Sequence, residues 1–230
     1  MTSPYYADDR VTLYLGDCRE ITEWLAADVL VTDPPYGIDY RPNHRIRSAK
    51  PLPIAGDRST YVRDHVMAMW GPDRPGLVFG RWDADRPTRT VQRLVWDKNL
   101  IGTGRLDSPW GPSDEEIYVI GTWPPIVPGG RAREGGNPTR HSSVIRVQAL
   151  APGAQARPDH PTPKPLALME RLIAKCPPGV IADPFAGSGS TLVAARNLGR
   201  QAIGVELEER YCEVIAKRLA QDCLDFGSVS

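Results

Sequence analysis

The sequence predicts an α/β protein built on one mostly parallel sheet with helices on both faces. Three observations lead there. Short apolar runs of strand length alternate with segments whose apolar residues recur at helical spacing, most clearly near the two ends of the chain. Two of the strand-like runs stop at the same punctuation, an aspartate followed by proline, at Asp33-Pro34-Pro35 and at Asp183-Pro184. Finally, 230 residues with 41% apolar content can bury one substantial core and little more, so residues 1–230 read as a single domain.

Residues 11–15 read as a strand stopped by Gly16-Asp17, and residues 19–27 predict a helix through Ile21, Trp24 and Leu25. Residues 28–32 read as a buried strand ended by the double proline, because proline fixes φ and has no N–H for a ladder. Residues 64–70 predict a crossing helix, and residues 75–80, 90–96 and 116–121 predict strands bounded by turn residues. Towards the C-terminus, residues 166–174, 190–198 and 210–219 predict helices, and residues 179–182 and 201–205 strands. Two stretches resist packing, residues 41–60 and residues 122 to about 163, and the candidate recognition segments 37–60 and 121–158 overlap them. Loops of that length in a compact domain are lids, binding loops or disordered segments.

The apolar runs are too short to span a bilayer and no signal core follows a basic N-terminal segment, so a soluble, cytoplasmic protein without a membrane partner is expected. The four cysteines, at 18, 176, 212 and 223, form no CxxC pair, and the four histidines are scattered, so reduced structural thiols and no metal are expected. Formal charge is balanced at 28 basic and 28 acidic residues, yet its distribution is not. Arg41, Arg45, Arg47, Lys50, Arg58 and Arg63 face only Asp57 within residues 40–63. Arg131, Arg133, Arg140, Arg146 and Arg157 face only Glu134 within residues 129–158. Such segments can neutralise a phosphate backbone even on a neutral domain, or can be solvated loops.

Asp183-Pro184-Phe185-Ala186-Gly187-Ser188-Gly189-Ser190-Thr191 lies between a predicted strand and a predicted helix. It lacks the lysine of a phosphate-binding GxxxxGK[ST] loop. Gly187 and Gly189 instead permit a tight turn with helix amides facing a ligand, although ordinary helix–sheet packing would use the same residues. Glu206 ends the next strand, 17 residues beyond Gly189, where an acid can accept hydrogen bonds from two ribose hydroxyls. In Asp33-Pro34-Pro35-Tyr36, the prolines leave the Asp33 carboxylate and the Pro34 carbonyl as adjacent acceptors, one for each hydrogen of an exocyclic amine. Tyr36 adds an aromatic face suited to stacking on a base. The plainer alternative is a strand-ending turn with a packed tyrosine.

These blocks, in this order, resemble the amino-directed DNA methyltransferases of the N6-adenine and N4-cytosine type, in the permuted arrangement called the beta class. The resemblance extends from Val11 to Leu219. Its motifs are Leu15-Gly16-Asp17-Cys18, Asp33-Pro34-Pro35-Tyr36, Leu94-Val95-Trp96-Asp97-Lys98, His160-Pro161-Thr162-Pro163-Lys164-Pro165 and the 183–191 loop. The family's histidine before the glutamate of its central block is missing from Asp114-Glu115-Glu116, so no role is carried over there.

The resemblance implies a Rossmann-like fold and S-adenosyl-L-methionine as cofactor. It places Asp17 near the cofactor adenine, Thr162 and Lys164 at its methionine end, and Asp183, Phe185, Gly187, Ser188, Gly189 and Glu206 around its pocket. Asp33, Pro34, Pro35 and Tyr36 become the catalytic turn, which holds a flipped adenine while its N6 attacks the methyl carbon in line. Double-stranded DNA becomes the partner, contacted by Arg41, Arg45, Arg47, Lys50, Arg131, Arg133 and Arg140 from segments 37–60 and 121–158, and a homodimer is implied as well. An aspartate before Pro-Pro-Tyr accompanies adenine more often than cytosine in this family. N4-cytosine transfer, an RNA-directed enzyme, a protein-glutamine methyltransferase and a non-catalytic DNA-binding module are the alternatives.

Overall fold

Strand β3 (Val29–Thr32) shows how the core is organised. Val29, Leu30 and Val31 are all fully buried, but Val29 and Val31 join one apolar cluster and Leu30 another. Successive side chains of a strand leave on opposite faces, so a strand covered on both sides reads as a continuous apolar run. One face is sealed by α2 (Leu166–Ile173), α3 (Ser190–Asn197) and α4 (Glu209–Asp225). From α4 come Cys212, Ile215 and Leu219 at helical spacing, and from α2 Leu168, Met169, Leu172 and Ile173. The other face is sealed by α1 (Tyr61–Trp70), through Val66, Met67 and Trp70, and by Trp24. The indoles of Trp24 and Trp70 stack at 6.0 Å between centroids.

This computed structural model describes residues 2–37, 59–101, 109–125, 141–150 and 163–225. Among them nine strands form one sheet: β1 (Tyr6–Ala7), β2 (Val11–Leu15), β3, β4 (Gly76–Gly80), β5 (Thr90–Asp97), β6 (Asp114–Ile120), β7 (Val144–Arg146), β8 (Ile181–Asp183) and β9 (Ala202–Glu206). Their spatial order is β1-β2-β9-β8-β3-β4-β6-β5-β7. The central five, β2, β9, β8, β3 and β4, are all parallel. Strand β6 runs against both β4 and β5, and β1 against β2, so the sheet is mixed but mostly parallel, with helices on both faces as expected.

Three expectations are corrected. Residues 19–27 do not form an α-helix; they hold a tight turn and one 3-10 turn at Glu23–Ala26. Ile21 precedes that turn and Trp24 lies within it, yet both reach the same apolar cluster. The Trp24 indole N–H donates to the Cys18 carbonyl at 2.9 Å, and Ala27 turns extended so that the chain can enter β3. Segment 121–158 is not wholly irregular, because β7 lies within it and pairs in parallel with β5. One arginine of the basic segments is engaged within the fold, and a second is paired at the surface. Arg63 is buried and bonds Asp64 and the Asp85 carbonyl, and Arg146 reaches Asp97 Oδ2 at 3.1 Å.

Cys18 and Cys212 are buried free thiols and Cys176 is half-buried, and burial pushes all three up to about 12. Among the described residues no helix is long and apolar enough to cross a membrane, and no group of three or more His, Cys, Asp or Glu is arranged to hold a metal.

Candidate active site

Four acids stand at the carboxyl ends of four adjacent parallel strands: Asp17 after β2, Glu206 on β9, Asp183 on β8 and Asp33 after β3. Open α/β sheets bind ligands along this edge. Linear distance disappears here, since Thr32 Oγ1 donates to Asp183 Oδ1 at 2.7 Å and joins the Asp33 turn to the start of the glycine loop.

The loop from β8 to α3 is held mainly by backbone. The Asp183 carboxylate accepts from Thr32 and from the Phe185 N–H at 3.2 Å, and burial pushes its carboxyl up to about 6. At 2% exposure Asp183 is a tether for the loop and faces no opening. Gly189 caps α3 at φ 76°, where a Cβ would also lie 2.8 Å from Ile215 Cγ1, so the turn requires glycine. The Gly187 N–H donates to Glu206 Oε2 at 2.7 Å and the Glu208 N–H to Oε1 at 2.9 Å. Burial raises the Glu206 carboxyl to about 7 against the pull of these two amides. Ser188 is buried, its hydroxyl 3.1 Å from that of Ser190, which donates to the Lys164 carbonyl at 2.8 Å. Phe185 is half-buried against the Trp24 side of the core. Asp17, next along the edge, is bonded by the Arg19 guanidinium, which holds its carboxyl below the usual range.

This end of the sheet fits a nucleoside-bearing cofactor. Leu15 pairs with Glu206 across β2 and β9, so the acids at 17 and 206 stand at neighbouring strand ends. Each Glu206 oxygen is engaged by one amide and retains acceptor capacity for a ribose hydroxyl.

The second half of the site is a cluster of charged side chains. Asp33 and Tyr36 come from the proline turn, Glu115 from the start of β6, Lys98 from just after β5 and Lys164 from the approach to α2. Reversal of β6 brings its N-terminal end to the catalytic edge, with Trp96 opposite Glu115. The Lys164 ammonium lies 2.6 Å from Asp33 Oδ2 and 2.8 Å from Glu115 Oε1, above the Phe79 ring at 4.8 Å. The Tyr36 hydroxyl contacts Glu115 Oε1 at 2.6 Å and also bonds Asp33 Oδ1. Lys98 closes the far side, 3.2 Å from Glu115 Oε2.

Burial raises the Asp33 carboxyl above its ordinary value, the Glu115 charge adds to that, and Lys164 and Tyr36 oppose it. Burial acts the same way on Glu115, but Lys164 and Lys98 outweigh it and hold Glu115 at about 2. Burial opposes the charge on Lys164, yet Asp33 and Glu115 overcome it and raise its value. Burial, with the neighbouring carboxylates, pushes the Tyr36 hydroxyl well up, so it stays protonated. Of the two carboxylates Asp33 is the more exposed, its side chain at 27% against 11% for Glu115, so it is the one more open to a ligand.

The structure therefore gathers Asp33, Tyr36 and Lys164 in one place, and Asp17, Gly187, Gly189 and Glu206 beside it. Pro34 is buried and Pro35 half-buried in the turn between them. Lys164 stands where the two halves of the site meet, its carbonyl accepting from Ser190 of the cofactor loop. Its ammonium lies between two carboxylates of the base-side cluster, because that is where burial of a positive charge is compensated. Glu115 was missed by sequence reasoning. The signal available was an acidic triplet, Asp114-Glu115-Glu116, opening an otherwise apolar strand. Thr162, Arg41, Arg45, Arg47, Lys50, Arg131, Arg133 and Arg140 lie outside the described residues.

Comparison with known proteins agrees with this geometry. The N6/N4 methylase family model, described as a DNA methylase, matches residues 122–218. The putative methylase YubD of Escherichia coli strain K12 is 49% identical over 224 residues, covering 89% of this chain and 88% of its own. The type II methyltransferase M.ScaI of Streptomyces caespitosus is 28% identical over 94% of this chain and 83% of its own. Among solved structures, the M1.HpyAVI–SAM complex has a TM-score of 0.60 at 21% identity, covering 90% of this chain and 99% of its own. The cytosine-N4-specific PvuII DNA methyltransferase has a TM-score of 0.59 at 17% identity, covering 94% and 88%. The chain thus belongs to the amino-directed N6-adenine/N4-cytosine DNA methyltransferase family.

Proposed function

We propose that this protein methylates the N6 amino group of adenine in double-stranded DNA, with the target base flipped out of the helix. The observation that carries the reading is the hydrogen bond from Thr32 to Asp183, which gives the amine-holding turn and the cofactor loop a common wall. Direct transfer needs the two reactants in one line at contact distance, and adjacent strand ends supply that.

When bound, S-adenosylmethionine supplies an activated methyl group. The protein's own part is placement and charge. Glu206 and Asp17 accept from the nucleoside end, and Gly187 and Gly189 allow the backbone to approach it. Asp33 and the Pro34 carbonyl accept the two amino hydrogens, which turns the nitrogen lone pair towards the methyl group. Tyr36 stacks on the ring, with its hydroxyl fixed by Asp33 and Glu115. The nitrogen becomes cationic during transfer, and a carboxylate at Asp33 stabilises that charge more than it stabilises the neutral amine.

An aspartate at position 33 supports adenine over cytosine as the acceptor. Purified protein incubated with methyl-labelled S-adenosylmethionine and unmethylated genomic DNA, with cellular RNA in parallel, should yield N6-methyladenine in the DNA on nucleoside mass spectrometry. N4-methylcytosine would move the acceptor, label only in RNA would move the substrate, and label in neither would overturn the reading.

A further inference from the structure

A proton count in the Asp33–Tyr36–Glu115 row leads further. The Tyr36 oxygen is within hydrogen-bonding reach of Asp33 Oδ1 and Glu115 Oε1, but a phenol has one hydrogen and can donate to one carboxylate at a time. Lys164 donates to both carboxylates from the other side, and the Tyr36 oxygen lies 3.5 Å from its ammonium. With both acids ionised, one of the two oxygen–oxygen contacts has no hydrogen in it. The row therefore has a place for one more proton, and the tyrosine hydrogen has two alternative acceptors.

We propose that Tyr36 and Glu115 form a proton switch for methyl transfer, in which the hydroxyl hydrogen turns from Asp33 to Glu115 as Asp33 takes up the proton released by the methylated amine. The inference rests on the amino-methyltransfer reading above. Its chemistry balances. The nitrogen gains the methyl carbon, the electron pair of the old carbon–sulfur bond stays on sulfur, and the nitrogen is left with one proton in excess. That proton passes to Asp33. The Asp33 O–H then donates to the Tyr36 oxygen, whose own hydrogen now points to Glu115, and every hydrogen again has an acceptor.

Glu115 does not reach the base and is a positioning residue that acts through Tyr36. The charges suit the division of labour, because Asp33 is the acid raised above its ordinary value and Glu115 the one held low by two ammoniums. The added proton accordingly belongs on Asp33.

The test is the pH profile of single-turnover methyl transfer to DNA at saturating cofactor, for wild type, Tyr36→Phe, Glu115→Gln and the double variant. Phenylalanine keeps the stacking ring and deletes the switch, so the plateau rate should fall on the order of 10²-fold, within the span of acid–base assistance, with cofactor affinity unchanged. The acid limb should move in opposite directions. Losing the Tyr36 hydroxyl removes a bond that lowers Asp33, so the limb rises; losing the Glu115 charge removes a cause that raises Asp33, so it falls.

Because both changes break one device, the double variant should be no slower than Tyr36→Phe alone. Multiplying defects, or limbs that stay fixed, would overturn the switch while leaving the enzyme reading intact. Absence of transfer by the wild type would overturn both. Should Glu115→Gln fail to fold, by circular dichroism and thermal unfolding, the direction of the Tyr36→Phe limb decides alone.

Discussion

The two halves of the site are built by different means. The cofactor side is local and made largely of backbone. One loop, residues 183–191, supplies the turn, two glycines and the amide that meets Glu206, and the ends of β9 and its neighbour β2 are added beside it. The base side is assembled from four separate stretches, around 33–36, 98, 115 and 164, and held by ionised side chains. Steric freedom defines the first half and charge balance the second. Substitutions should therefore fail differently on the two sides.

The largest expected effect is on the base side. Asp33→Ala removes the more exposed carboxylate and leaves Lys164 with one carboxylate partner in place of two. Methyl transfer should fall by about 10³-fold or more, since electrostatic stabilisation of developing charge is the leading contribution in such sites. Calorimetry should find cofactor affinity within about threefold of wild type, below the 1.4 kcal/mol that a tenfold change represents. Loss of cofactor binding in parallel with activity would erase the separation of the two halves.

Next comes Glu206→Ala, which should do the reverse. Loss of an acceptor for two hydroxyls, each charge-assisted bond contributing about 1.5–3 kcal/mol, should weaken cofactor binding by at least tenfold while the rate at saturating cofactor changes less. Wild-type affinity should also depend on pH with a defined sign. The Glu206 carboxyl is raised to about 7, and the ionised form is the full acceptor. Affinity should therefore be flat above neutrality and weaken as pH falls through about 7. Glu206→Gln should flatten that dependence, which titration calorimetry between pH 6 and about 8.5 would reveal.

These differences also explain what was legible in the sequence. The cofactor half could be read because its information is contiguous: strand, Asp-Pro, two glycines, helix, strand, acid. Asp33 and Tyr36 could be read for the same reason. Glu115 could not, because its place depends on β6 running against its neighbours, and strand direction leaves no mark on an apolar run. The two carboxylate partners of Lys164 were hidden for a related reason, since Glu115 reaches it only through that reversal. Among the elements, strands bounded by Gly and Pro were placed to within a residue or two. The helix expected over 19–27 failed because Ile21, Trp24 and Leu25 reach one apolar cluster from successive short turns, which three apolar positions do not distinguish from an α-helix.

A smaller effect tests the steric half. Gly189→Ala places a Cβ 2.8 Å from Ile215 at φ 76°, so it should cost about 1–2 kcal/mol of stability from the left-handed backbone, with crowding in addition. Urea unfolding should show a lower midpoint at unchanged slope. Cofactor affinity should drop with it, because the glycine sets the turn that presents the Gly187 amide to Glu206. A variant equally weak in transfer but normal in stability would assign Gly189 to the chemistry and not to the shape of the loop.

The smallest effect should come from Lys98→Met, and it probes whether charge balance on the base side is graded or all-or-none. Lys98 is the outermost cation of the cluster, 26% exposed and 3.2 Å from Glu115 Oε2, while Lys164 is nearly enclosed. A partly solvated pair of this kind contributes about 0.2–1 kcal/mol, so transfer should slow less than about fivefold. Since Lys98 helps hold Glu115 at about 2, its removal should let Glu115 rise. A rate defect that deepens towards acidic pH would follow, measurable as a steeper acid limb than in the wild type. The charge balance is then graded, with Lys164 able to keep Glu115 ionised near neutrality. A collapse as deep as that of Asp33→Ala would instead mean that the two ammoniums act as a unit, and that the base side tolerates no partial loss of positive charge.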